Sequence, residues 1–492
     1  MDINSIIQHN KTLKHTIFEN NKELSNIKNL FWDELNISNY NTNNTIIAAG
    51  HQPVFYYPGI LSKNYYAGKM AAETGGIALN FVVDSDTGLI ETPVPCKNIY
   101  GLCKKRVSVK TDKNSVFAQF QPSREDIEDF FEKTKNHLNT LDDDFQEIRD
   151  AFHQYKKQFF QKFEEINHFV DTISSLRAQF ESASGANLHD LKISDIAKTK
   201  AYNLFIYYII KNIETFRLHY NKAINQNKRN EYQPVKETGK TDGLYELPFW
   251  LIKDKTRHPV FGCCTEEGIL HFLSPGINYE TKVSASGVRA EQIAEKISNS
   301  FTLYPKATIL TFIIRLFFCD MFIHGTGGAE YEKVNNDFIQ SFFALPSKLR
   351  FQSATGNIYL PLEKKMPNPG NLQKDYSIYR KWLRKYKQKP EDLLPPKLAE
   401  KYKEEKKHIG SQMKETPPGK RKELNDQIVR LNEKMREHLT KEYQKTTEAL
   451  NNINRILKNK DVYLERCYPY FIYPKGYLTA EKLEENLQIK DY

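Results

Sequence analysis

Two apolar runs limit what this chain can fold into. Thr45–Gly50 reads TIIAAG and Ile77–Val83 reads IALNFVV. Neither alternates with polar residues, so each suits a strand covered on both faces. Between them, Ile60–Thr74 has an apolar face of Leu61, Tyr65, Met70 and Ala72, and Gly75-Gly76 follows. That pattern predicts a helix ended by glycine. Strand, helix, strand over about 30 residues is a βαβ unit, because parallel strands need a crossover of that size. The right-handed crossover rule then predicts a doubly wound α/β core.

The segments after each strand point to a ligand site. The first run breaks into His51-Gln52-Pro53, an aromatic triplet, and Pro58-Gly59 at the helix start. Strand, tight loop and helix N-terminus form a general binding arrangement in α/β proteins. His51 is a candidate proton carrier, and Gln52 a hydrogen-bonding group for an amide or a sugar. The bland role for His51 is to order the loop. Pro58 fixes the chain's approach and Gly59 permits close contact. The second run ends in Asp84-Ser85-Asp86-Thr87-Gly88, where open parallel sheets bind ligands. Asp84 and Asp86 are catalytic candidates there, with Thr87 and the helix residue Asn64 as binding candidates. A third candidate element is HGTGGAEY, His324–Tyr331. Its glycines let backbone N–H groups approach a ligand, and the next helix offers an anion its positive end.

The remaining chain divides by composition. Ser123 with Glu125 and Asp126 marks a helix start. Phe130–His137, Asp144–Ile166 and Lys198–Leu218 read as helices of an insertion between two halves of the core. Gly243–Val260 and Ile269–Leu273 return to strand-like composition. Ala307–His324 is the most apolar run, yet it contains Arg315 and Asp320. It is too short and too charged to span a bilayer, so a helix buried in the core is expected. The expected divisions are 1–120, first half of the core; 121–240, helical insertion; 241–370, second half; 371–465, a basic coiled-coil hairpin; and 466–492, a segment packing back on the core.

Charge singles out the hairpin. The whole chain carries +10. Gln373–Lys460 alone holds 24 Lys and Arg against 13 Asp and Glu, so the rest is close to neutral. Leu424, Ile428, Leu431, Met435, Leu439 and Tyr443, continued by Leu450, Ile453 and Leu457, form the seam of one long helix. Thr416-Pro417-Pro418-Gly419 is a turn after a shorter helix, Lys397–Ile409. Such a basic hairpin invites nucleic acid. Its lysines alternate with glutamates, however, as on an ordinary solvated coiled coil, and dimerisation is the favoured partner reading.

Several classes are excluded. The six cysteines include no CxxC pair, so neither a disulfide scaffold nor a zinc site is expected. Reduced thiols in the cytoplasm fit better. The N-terminal MDINSIIQHNKTLKH lacks the pattern of a signal peptide. There is no P-loop and no HExxH, and HGTGG is not a dinucleotide fingerprint. Cys263-Cys264 has no His and carboxylate context for thiol catalysis.

GHQPVFYYPGILSKNYYA, then NFVVDSDTG, resembles the start of the bacillithiol-synthesis cysteine-adding enzymes (BshC). HGTGGAEYEKVNNDF is similar to their later glycine-rich segment, and RCYPYFIYP to a short aromatic segment near their C-terminus. The likeness spans most of the chain in short islands. It is closer still to a branch with Gly-His-Gln-Pro in place of Gly-Gln-Gln. The resemblance implies a Rossmann-like core of the nucleotidyltransferase type, a helical connecting region and a dimerising antiparallel coiled coil. It implies a carbon–nitrogen ligase that joins a cysteine or other amino-acid carboxyl to the amine of an amino-sugar conjugate. Carried over, Gly50 and Gln52 match the family loop, Pro58 and Gly59 its helix start, and Asp84 and Asp86 its acidic strand end. Gly327, Gly328, Glu330 and Tyr331 match its glycine segment. His324 and Gly325 complete that segment here.

Two departures matter. His51 replaces the family's glutamine and leaves the substrate open. Tyr57-Pro58-Gly59-Ile60 stands where relatives that form adenylates carry His-x-Gly-His. Among the cations that could replace those histidines, Lys306 is the one near a plausible site element. A nucleotide, ATP or ADP, is the cofactor that the resemblance admits. The alternatives are a scaffold acting through the basic hairpin on nucleic acid or a partner, and a nucleotidyltransferase of unknown acceptor.

Overall fold

The computed structural model describes residues 2–37, 44–110, 112, 114–228, 236–241, 243–363 and 369–492. The chain forms two compact units. The first comprises Met1–Tyr100, Lys104–Ile358 and Arg466–Tyr492; the second comprises Gly101–Cys103 and Tyr359–Glu465.

The first unit is mixed α/β, built on one six-stranded sheet. Its strands are β1 (Ile46–His51), β2 (Ile77–Val82), β3 (His189–Lys192), β4 (Met321–His324), β5 (Gln352–Gly356) and β6 (Leu487–Asp491). The spatial order is β3-β2-β1-β4-β5-β6. The first five strands run parallel, and β6 pairs antiparallel with β5. The strand order therefore reverses at β1. The chain moves outward through β2 and β3, then returns to the other side of β1 with β4 and β5.

Period-2 geometry sends alternate residues of β1 to opposite faces. Ile46 and Ala48 join one cluster with Leu79, Phe81 and Phe318. Ile47 and Ala49 join another with Ala67, Met70, Met321 and Ile323. Both faces are covered, which is why the run shows no polar alternation. Each buried Ile or Phe contributes about 1.5–3 kcal/mol. Helix α1 (Pro58–Glu73) links β1 to β2. Pro58 sits in its first turn, and Gly75, with φ of 63°, follows its end.

Three expectations for this unit change. The run Ala307–His324 is not one helix. It comprises α2 (Ala307–Ile313), a π turn (Ile314–Phe318) and then β4. A strand buried on both faces has no period to separate it from a buried helix. The stretch 121–240 is not wholly helical, because it carries β3. The strand-like residues after 243 do not extend the parallel sheet. Leu244–Lys253, Thr256–Cys264, Ile269–Ser274, Tyr279–Ser284 and Thr302–Pro305 form an antiparallel sheet of their own. Asp254 and Lys255, with φ of 49° and 64°, make the two-residue hairpin turn that fixes the antiparallel pairing.

In the second unit, Leu372–Gln388 packs on Thr440–Lys458, and Pro396–Glu415 on Lys422–Glu437. The turn at Thr416–Gly419 falls between the two inner helices. The expected single long helix is broken at His438-Leu439. Leu431, Met435 and Leu439 are buried against Leu394, Ala399 and Tyr402. Among the described residues, no helix is long and apolar enough to cross a membrane.

Candidate functional site

A cavity of about 360 Å³ lies at the carboxyl ends of β1, β2, β4 and β5. It is centred where the strand order reverses, the position at which open α/β sheets leave a crevice. β1 contributes Gly50, His51 and then Gln52; β2 is followed by Ser85 and Asp86; β4 ends in His324 and leads into Gly325–Gly328. Helix α1 contributes Gly59, Ile60 and Lys63.

Lys63 is the least expected of these. It is 1% exposed, and its Nζ donates to the Gly50 carbonyl at 2.6 Å. Burial lowers its amine to about 7, with Glu181 pulling the other way. His51 lies on the adjoining wall. Its Nδ1 is 3.1 Å from the Gln52 carbonyl, so the ring donates there and Nε2 remains as the acceptor. Burial, then the nearby Lys63 charge, holds the imidazole down to about 3. His51 is therefore neutral at physiological pH.

His324 belongs to a buried ionic set. Its Nε2 lies 3.4 Å from Glu332 Oε2, and Arg315 donates to Glu332 Oε1. Asn335 donates to the same oxygen at 3.0 Å. Burial alone would raise the Glu332 carboxyl, but Arg315 and His324 outweigh it and hold the group down to about 2. Burial keeps His324 below the usual imidazole range despite Glu332. The π turn supplies Arg315, and helix α3 (Gly328–Phe342) supplies Glu332. Gly328 is required here, since a Cβ would fall 2.1 Å from the His324 ring. No side chain caps the start of α3; the Ala329 N–H donates to the Gly325 carbonyl at 3.1 Å, and the turn Gly325–Gly328 forms the cavity wall.

A third group forms one rim. Gln52 Nε2 donates to Asp86 Oδ2 at 2.5 Å, and Arg257 donates to Asp86 Oδ1 at 2.5 Å. Arg257 also donates to Thr87 Oγ1 at 2.8 Å and stacks over Trp250.

Of the residues expected from sequence, His51, Asp86, Gly50, Gln52, Gly59, His324, Gly325, Gly327, Gly328 and Tyr331 line the cavity. Six do not. Asp84 is buried and accepts from the backbone N–H of Ser194 at 2.8 Å and from its hydroxyl. It orders the chain after β3 and does not face the crevice. Asn64 donates to Glu181 at 2.8 Å, within the buried Arg177–Glu181–Asp190 set. Lys306 pairs with Glu246 at 2.6 Å over the Trp250 ring. Glu330 pairs with Lys333 at 2.9 Å. Thr87 meets Arg257 from behind the rim, and Pro58 shapes the first turn of α1.

Sequence reading missed Lys63, Arg257, Arg315 and Glu332. Lys63 did leave a signal, as a cation within the apolar helix PGILSKNYYAG. Arg257 left none, because it arrives from the separate antiparallel sheet. No protein-family model matches the chain, and no curated protein matches it.

Proposed function

We propose that this chain is a BshC-like ligase that binds a small, polar, anionic substrate in the crevice and joins a carboxyl to an amine. The observation that carries the reading is the convergence of His51, Lys63 and the uncapped start of α3 where the strand order reverses. The order β3-β2-β1-β4-β5 agrees with a Rossmann-like core. The helical hairpin of the second unit fits a dimerising coiled coil, and the protein works in the cytoplasm. A nucleotide is the group that the uncapped helix start would accommodate.

Amide formation makes one carbon–nitrogen bond and breaks one acyl carbon–oxygen bond. The departing carboxyl oxygen takes up the two protons that the ammonium group gives up and leaves as water. Lys63 and the backbone N–H groups of the Gly325–Gly328 turn hold the anionic part of the substrate. The neutral His51 presents Nε2 to the amine and positions it. Asp86, already oriented by Gln52 and Arg257, accepts a hydrogen bond from the amine or from sugar hydroxyls.

Thermal shift and calorimetry against ATP, ADP, cysteine and glucosaminyl-malate test the reading. A ligand at 100 times its dissociation constant stabilises by about 2.7 kcal/mol. The expected result is stabilisation by the conjugate or a nucleotide, lost in Lys63→Met. Amide formation should disappear in His51→Ala while the fold is kept. No response to any of the four ligands would sink the ligase reading.

A further inference from the structure

The opposite ends of β1 and β4 carry a second cavity, of about 450 Å³, which the proposed reaction does not use. It opens beside Asn44 and Ile46, at the start of β1, and beside Phe317–Asp320, just before β4. Helices Ile3–Asn20 and Lys22–Glu34 wall it with Lys11, Lys14, Lys28, Phe18 and Trp32.

The charges there do not balance. Three ammonium groups face one carboxylate, Asp320. That carboxylate is already committed. It accepts from Lys14 at 2.9 Å and from the backbone N–H of Ile46 at 3.1 Å, with Lys11 at 3.6 Å. His15 pairs with Glu19 at 3.1 Å. Lys28 is half-buried and has no carboxylate or carbonyl partner among the described residues. Its Nζ instead lies 5.1 Å from the Phe18 ring centre and 4.9 Å from that of Trp32. Burial first, and then Lys14 and Lys11, lowers its basicity, with Asp320 acting against them. Ring contacts of this kind are weaker than a hydrogen-bonded ion pair. They do not compensate a partly desolvated charge that is repelled by two neighbours.

We propose that this cavity binds a small anion of at least two charges, phosphate- or carboxylate-based, held by Lys28 and Lys11. An anion there supplies the charge that Asp320 cannot. The site is separate from the crevice and does not depend on the ligase reading.

Trp32 provides a local reporter. The chain has three tryptophans, so replacing Trp250 and Trp382 by Phe leaves Trp32 alone. Pyrophosphate, citrate and chloride are titrated into this full-length protein at constant ionic strength. A saturable change in Trp32 emission is expected with pyrophosphate or citrate and none with chloride. The stronger of the two distinguishes phosphate from carboxylate recognition. Lys28→Met should weaken the response at least tenfold and Lys11→Met several-fold, with circular dichroism unchanged. Lys28→Gln serves if the Met variant misfolds. Lys63→Met, in the other cavity, should keep the response. An absent or non-saturable signal, a signal that survives loss of Lys28, or one lost with Lys63 would overturn the proposal.

Discussion

The two units handle charge in opposite ways. Residues 373–460 hold the whole excess of positive charge, yet Glu391 is the only Asp, Glu, Lys or Arg buried among the described residues there. Their lysines and arginines lie on solvated helix faces, and pairs such as Lys403–Asp392 at 3.5 Å sit at the surface. The sheet unit is close to neutral but buries Lys14, Lys63, Asp84, Arg149, Arg177, Glu181, Arg315 and Glu332. An exposed charge is screened and interacts weakly; a desolvated one is strongly perturbed and held in place. Net charge therefore singles out the helical unit, whereas the desolvated charged groups lie in the other.

Glu332→Gln should give the largest effect. It leaves the Arg315 guanidinium buried without its counter-ion and should cost about 3–5 kcal/mol in denaturant unfolding. The Glu332 carboxyl is held down to about 2, so its contribution is present above the ordinary carboxylate range and is lost as pH falls toward 2. Wild type and variant should therefore converge in acid. A cost below about 1 kcal/mol at pH 7 would mean that the buried set is no stronger than a surface pair.

Lys63→Met should act in the opposite direction. Burial lowers the folded amine from 10.5 to about 7, so the unfolded chain binds the proton more tightly. The penalty is fully present below pH 7 and shrinks as pH rises toward 10.5. Replacing Lys63 removes it, although the Gly50 carbonyl loses a donor. The variant should be more stable by about 3 kcal/mol at pH 6 and by clearly less at pH 9. Equal effects at both pH values would show that the amine is not desolvated.

The smallest effect belongs to the helical unit. Lys407 is exposed, so Lys407→Gln should shift unfolding by less than about 0.5 kcal/mol. A larger change would erase the contrast between the units.

Much of the site was readable because it is local. His51, Gln52 and Gly59 share one loop and helix start, and His324 through Gly328 share one turn. Asp86 was found by the same logic, since a residue just past a parallel strand faces the crevice. Asp84, two residues earlier, was misread because its partner, Ser194, is 110 residues away. The resemblance marks Glu330, yet Glu332 is the one that turns inward to Arg315, because packing sets the phase of the helix.

The sequence by itself determined the βαβ unit, the helix stop at Gly75 and the turn at Thr416–Gly419. These rest on hydrophobic period and backbone freedom, which short segments carry without help. Only the tertiary structure decided that β4 is a strand, that Arg257 reaches Asp86, and that Arg315 and Glu332 are buried together. Those outcomes depend on which distant surfaces meet and on how much water they exclude, and no local pattern encodes either.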